Sequence, residues 1–512
     1  MQKTTKNTVF VVSLALTLAI TLWAIALNDS FSHISNLLYQ ITTDDFGWLY
    51  LIAMLAFVGF SLALAFSRWG RLKLGPDDSR PEFSTLSWFA MLFGAGMGVG
   101  LVFWGISEPI SHLVNPIPGI EPGTEAAINF SLRTAFMHWG VHPWAGYCVI
   151  GLGLAYFSFR KGKPGLISSI FEPIIGEKAT KGWLGKTIDV LAIFATVAGV
   201  VTSLGLGVLQ INAGLSHVLG IPSNLMVQII IIVVVAIIYT WSAVDGIGRG
   251  IKLIGDANLY IAVGLLIVTF LVGPKLEVLE NLTNGLGQYL QNFFGDSLMM
   301  MPYGDDSWNG AWRIFYWAWW IAWAPFVGSF IARISRGRTI REFVFGVMLA
   351  PAMGSILWFA IMGSLPLHLF AEGTMSLETL GELAATPETA LFEVMSMYPL
   401  GSILCVVSLV LLCTFFITSA NSGTFILAMF SSHGDLNPPN SKKVLWGVVM
   451  AVLATGLLMA GGLKPLQTIS LVAAFPFIFI MLFAGYALVK QLCRDTAEGT
   501  KVIAENKSAA EK

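Results

Sequence analysis

Apolar runs of about 20 residues, the length that crosses the hydrocarbon core of a bilayer, can be placed twelve times along these 512 residues. They fall near 9–28, 47–67, 85–107, 134–159, 186–216, 224–243, 252–273, 311–333, 342–363, 400–431, 443–462 and 467–489. Charge tests the count. With the N-terminus assigned inside and successive loops to alternate sides, 25 of the 29 Lys and Arg residues fall inside. Only Arg133, Lys275, Arg313 and Lys464 fall outside. A missed or extra span would scramble that bias, so the pattern predicts an all-α integral protein of the plasma (inner) membrane, with twelve transmembrane helices and both termini cytoplasmic. Only 12% of residues are charged, against roughly 25% in soluble domains, so membrane lipids surround the fold. The net charge of −1 and the lack of a basic patch argue against a nucleic-acid partner. The four cysteines show neither metal-ligand spacing nor a disulfide framework. The first run is too long for a signal-peptide core and reads as a retained span.

Two runs are expected to be interrupted. The third carries Gly94-Ala95-Gly96-Met97-Gly98-Val99-Gly100, and the eighth carries Ala324-Pro325-Phe326-Val327-Gly328. Glycine weakens a helix by about 1 kcal/mol and proline by about 3, and non-helical backbone survives in a membrane only where protein or a wet cavity receives it. Close helix packing is the other use of such glycines. Setting aside residues 1–80 with their two helices leaves two sets of five spans, 81–275 and 311–490. They enter the membrane from opposite sides, and the interrupted run comes first in each. Paired interruptions in inverted halves point to a secondary transporter's binding site. Between the halves, 276–310 is an external loop in which Leu276–Phe294 reads as an interfacial helix, with Leu279, Leu282, Leu286, Tyr289, Leu290 and Phe293 apolar. The short polar tail, 491–512, is expected to be partly disordered.

Aromatic residues concentrate in two places. In the eighth run Trp312, Tyr316, Trp319, Trp320 and Trp323 share one side of a helix. In the fourth, Trp139, Trp144 and Tyr147 span a narrow arc. Facing aromatic walls suit a permanent cation that cannot donate hydrogen bonds, such as a trimethylammonium group; packing and interfacial anchoring are the alternatives. His138 and His142 have chelating spacing, but no carboxylate or cysteine accompanies them in the sequence, so hydrogen bonding is their favoured role. Thr418 and Ser419 offer neutral oxygens of the kind that suit Na⁺, with broken-helix backbone near Gly94 and Met97 to complete a shell; hydroxyls also bond their own helix. Asp256 is an intramembrane carboxylate whose favoured partner is Arg249 or Lys252. Walker, GxSxG, HExxH and CxxC patterns are absent, which argues against an enzyme and against a cofactor.

Pro81-Glu82-Phe83-Ser84, the GAGMGVG run, His138-Trp139 with His142-Pro143-Trp144, and the stretch FYWAWWIAWAPFVGSFIARISRGRTIREF from Phe315 to Phe343 together resemble the betaine/choline/carnitine transporter family, over nearly the whole chain. The resemblance implies a LeuT-like five-plus-five inverted repeat, a homotrimer, and a small substrate with a quaternary ammonium or sulfonium head. It implies substrate binding by Trp139, Trp144, Tyr147, Trp320 and Trp323, with Met97 beside the substrate. It implies a first sodium site at Gly94, Met97, Phe415, Thr418 and Ser419, and a weaker second one at Thr196 and Phe326. The family's second threonine in that site is replaced by Val200, which leaves proton coupling open. Sodium-independent exchangers lack the GMGxG run and carry an arginine where this chain has Asn258, so the chain resembles ion-coupled symporters. Glycine betaine-type cargo is the lead; choline or carnitine with proton coupling or exchange, and a channel or receptor with the same cage, are the alternatives.

Overall fold

A bilayer leaves backbone amides no partner but one another, and the chain answers with helices throughout. The structure is a computed structural model that describes residues 7–96, 98–244 and 248–510. Among the described residues ten helices are long and apolar enough to cross a membrane, and the bent pair Thr85–Gly94 and Val99–Val114 makes an eleventh. The remaining run, predicted at 134–159, is split at Gly140 into Glu125–Trp139 and Val141–Ala155, each 15 residues long and short of a full span. The split has a local cause. A Cβ on Gly140 would meet the Phe136 carbonyl and lie 2.6 Å from the Tyr289 hydroxyl. That hydroxyl, from the external helix Lys275–Gln291, accepts the Val141 N–H at 3.3 Å.

Two expectations change. The tryptophan-bearing helix runs unbroken from Phe315 to Ile334 with Pro325 inside it. The predicted interruption at Ala324–Gly328 is therefore absent: proline removes a single helix donor, and the helix continues through it. Gly328 serves packing: a Cβ there would lie 2.7 Å from Ile150 and 3.1 Å from the Gly151 nitrogen. The tail also differs, since the last helix continues from Leu463 to Ala510. Its first turn beyond the apolar stretch is held by Asp495, which pairs with Lys161 at 2.6 Å and accepts the Tyr156 hydroxyl. In the external helix Tyr289 is buried against the protein, while Leu279 and Leu290 face outward.

The tryptophan helix is the centre of the bundle. It packs against Val141–Ala155, Trp183–Leu219 and the helix from Leu463. Its span is 89% buried, against 28% for Thr8–Ala26 at the periphery. We expect Gly328→Val to lower the thermal midpoint of the detergent-solubilised protein, because overpacking costs about 1–3 kcal/mol. A shift measured by scanning fluorimetry, compared with an exposed control such as Gly295→Val, checks this.

Candidate binding site

The break before Val99 opens a space in the middle of the bundle. The two pieces of this span meet at 65°, and Gly98 lies in extended backbone between them. Around the break is a cavity of about 1550 Å³. Its deep end is lined by Gly94, Gly100, Trp139, Trp144, Tyr147, Trp319, Trp320 and Trp323. Its mouth is lined by Lys163, Arg333 and Arg336. Trp320 and Arg333 sit on one helix, so mouth and deep end are about 20 Å apart at 1.5 Å per residue.

The deep end is an aromatic enclosure built from two edge-to-face pairs. Trp139 and Trp320 have ring centroids 4.8 Å apart at 73°; Trp144 and Tyr147 are 5.3 Å apart at 87°. Trp319 stacks behind Trp320 at 4.8 Å. Gly100 permits this closeness, since a Cβ there would lie 2.7 Å from Trp319 and 3.1 Å from Trp139. Trp320 is fixed by donation from its indole N–H to the His138 carbonyl at 3.0 Å. Trp323 is fixed in the same way on the Gly199 carbonyl at 2.8 Å. A box of electron-rich faces attracts a cation that needs no hydrogen bond. The five aromatics predicted along the eighth run divide by depth. Trp319, Trp320 and Trp323 line the cavity, whereas Trp312 and Tyr316 lie beyond it in a plug.

In that plug His112 meets Trp312 at 4.5 Å, Trp104 meets Trp312 at 5.4 Å, and His138 stacks on Tyr316 at 4.6 Å. A carboxylate does accompany the histidines, contrary to the sequence expectation. It is Glu108, fully buried on Val99–Val114. Its Oε1 accepts from His138 Nδ1 at 2.7 Å and faces His112 Nε2 at 3.3 Å. Its Oε2 accepts from the Trp139 indole at 2.8 Å and the Tyr316 hydroxyl at 2.6 Å. Ligand atoms of Glu108, His112 and His138 lie within 4.8 Å of one another, a spacing a metal could use, yet each is already engaged in this hub. His142 is elsewhere, bonded to Ser297 at 2.8 Å and stacked on Trp317.

The expected ion-binding groups reach the same cavity only in part. Gly94, Phe415, Thr418 and Ser419 line it, and Met97 lies outside the described residues. The Thr418 hydroxyl donates within its own helix, to Thr414 at 3.0 Å and Phe415 at 3.1 Å, and accepts from Asn258 at 3.3 Å. Of the second set, Phe326 lines the cavity. The Thr196 hydroxyl is turned onto the Ala192 carbonyl at 2.8 Å, and Val200 packs against Gly423. Asp256 lines the cavity too; the Arg249 and Lys252 side chains expected to pair with it are outside the described set.

Residues 8–497 match the family described as BCCT, betaine/carnitine/choline family transporter. The chain is 45% identical to the glycine betaine transporter OpuD of Bacillus subtilis over 494 residues, covering 96% of this chain and 95% of that one. It is 41% identical to the ectoine/hydroxyectoine transporter of Virgibacillus pantothenticus, covering 96% and 98%. With the glycine betaine transporter of Acinetobacter baylyi the identity is 40%, over 92% of this chain and 71% of that one.

The packed rings beyond the deep end make a labelling prediction. Cys493 is exposed and Cys413 half-buried, so both are first replaced by serine. Ser422→Cys, exposed in the cavity, should then react with a polar thiol reagent at least about tenfold faster than Ser107→Cys in the buried plug. Equal rates would mean that the plug does not close the other end.

Proposed function

The chain belongs to the betaine/carnitine/choline family of transporters, and from that membership we propose that it is a sodium-driven symporter of zwitterionic quaternary ammonium or sulfonium compounds, with glycine betaine as the leading cargo. It is a membrane transporter and not an enzyme. The observation that carries the cargo reading is the aromatic enclosure of Trp139, Trp144, Tyr147 and Trp320 at the closed end of a cavity open at the other. A trimethylammonium group fits that box through cation–π attraction. Trp323 lies one turn from Trp320 toward the mouth, beside the path a cargo leaves by. The 45% identity to a glycine betaine transporter supports the same cargo class.

The fold supports a carrier rather than a channel. One end of the path is open and the other is plugged by packed rings, as one limb of alternating access requires. The mouth carries Lys163, Arg333 and Arg336, so the positive-inside rule makes this an inward-open state with both termini cytoplasmic. In our reading the two half-length helices flanking Gly140 complete a twelfth span, and the two sets of five form a LeuT-like inverted repeat. The working unit is a homotrimer in lipid. Sodium is cargo held at Gly94, Met97, Phe415, Thr418 and Ser419, all neutral oxygen donors; the second site at Thr196 and Phe326 is weak because Val200 supplies no oxygen. Transport of choline or carnitine, with proton coupling or substrate exchange, is the runner-up. A cyclic zwitterion is a further candidate, since one relative is named for ectoine and hydroxyectoine.

Trp320→Leu should leave protein amount unchanged and raise the Kd for glycine betaine at least tenfold, because a desolvated cation–π contact is worth about 2 kcal/mol. Calorimetric binding to the purified protein checks this; an unchanged Kd removes the cage. Uptake into proteoliposomes tests the ion. Thr418→Ala should raise the sodium concentration for half-maximal uptake several-fold, and Val200→Thr should increase sodium sensitivity or cooperativity. Full uptake in sodium-free buffer under a proton gradient, untouched by Thr418→Ala, would show the coupling ion to be wrong.

A further inference from the structure

We propose that Glu108 is a positioning and selectivity residue: its carboxylate fixes the cage and places a negative charge behind the aromatic wall, so that a cationic head is preferred over an uncharged one of equal shape. This rests on the cation cage proposed above and extends it to a residue outside the cavity lining. Four groups from three helices converge on the two carboxylate oxygens. Oε2 takes the Trp139 indole at 2.8 Å and the Tyr316 hydroxyl at 2.6 Å. Oε1 takes His138 at 2.7 Å and faces His112 at 3.3 Å. A carboxylate has about four lone-pair sites, so this neighbourhood fills it. An indole N–H can only donate, so Oε2 must be an acceptor there.

The hub reaches both rings of one cage pair. Trp139 is held directly. Trp320 is held through His138, whose ring binds Glu108 and whose carbonyl takes the Trp320 indole at 3.0 Å. These are the rings that meet edge to face at 4.8 Å. The Tyr316 ring fills the wedge behind them, 5.6 Å from Trp139 and 5.9 Å from Trp320. A charge-assisted bond to the indole N–H pushes electron density into the Trp139 ring, and a richer π face holds a cation more strongly. In a low-dielectric setting the buried charge also acts on a cation beyond the ring. Arg313 is buried nearby, its cation 5.3 Å over Trp308 and its Nη1 bonded to Asn309 at 3.1 Å.

Glu108→Gln tests this with little change of shape: it removes the charge, leaving Trp139 and Tyr316 a neutral carbonyl acceptor while its NH₂ faces the histidine nitrogens. Binding of glycine betaine and of its carbon isostere, 3,3-dimethylbutanoate, is measured on the full-length purified protein. We expect the Kd for glycine betaine to rise at least about tenfold. The isostere should change much less, so the selectivity ratio falls, and Glu108→Asp should recover part of it. Trp139→Phe keeps a ring but removes the donor; in the Glu108→Gln background it should cost much less than it costs in the parent. A Gln variant with unchanged selectivity, or additive effects of the two substitutions, overturns the proposal. A readout independent of cargo accompanies these. The indole hydrogen-bond signal in the ultraviolet resonance Raman difference between parent and Trp139→Phe should report a strong bond, and the same difference in the Gln background a weak one. Failure of the parent protein to bind glycine betaine would sink the cargo reading alone. An unaltered Raman signal in Glu108→Gln would sink this one.

Discussion

A backbone amide inside a bilayer has no water to fall back on, so an interrupted helix survives only where something else satisfies the freed groups. That constraint organises this protein. Within the core the chain departs from helix before Val99 and at Gly140, and the two departures frame the same enclosure. The first opens the cavity at Gly94 and Gly98. The second turns Trp139 away from Trp144 and Tyr147, so that residues adjacent in sequence approach the enclosure from different directions. Tyr289 covers the Gly140 break from outside through the Val141 N–H. The first break is tolerable because it lines the cavity and the second because Tyr289 covers it, and together they deliver the aromatic rings to one point.

Packing then decides how tightly the rings approach. Gly100, Gly199 and Gly328 each stand where a Cβ would collide with a neighbour: Trp319, Trp323 and Ile150, at 2.7 Å in every case. Small residues at helix crossings let membrane helices come together without a hydrophobic driving force. The indoles of Trp139, Trp320 and Trp323 are each pinned at the N–H, on Glu108, His138 and Gly199. Rings pinned at the edge present their faces, and faces are what a cation uses.

Much of this was legible in the sequence. Spans such as 47–67 and 400–431 coincide with the helices Gly47–Phe66 and Gly401–Phe430, because length and hydropathy are one-dimensional quantities. The aromatic residues of the enclosure were legible too, since helical periodicity places Trp319, Trp320 and Trp323 on one side. Three features were not. Pro325 reads as a break in a one-dimensional scan, but the single donor it removes does not interrupt a helix packed as closely as this one is at Gly328. Sequence alone leaves the Thr196 and Thr418 hydroxyls between sodium ligation and a bond within the helix; both bond their own helices here. Glu108 escapes the sequence reading because hydropathy ends the third apolar run at 107, one residue before this buried carboxylate. Extending that run to the helix end at Val114 would have put an intramembrane glutamate four residues from His112, a functional flag in its own right.

The central claim is that a quaternary cation sits among Trp139, Trp144, Tyr147 and Trp320. The most direct test is an electron cryo-microscopy map of the protein saturated with glycine betaine. The account predicts density for the trimethylammonium group within about 6 Å of these ring centroids, at the closed end of the cavity. Density for the cargo away from these rings, or an enclosure that stays vacant at saturating glycine betaine, would contradict it.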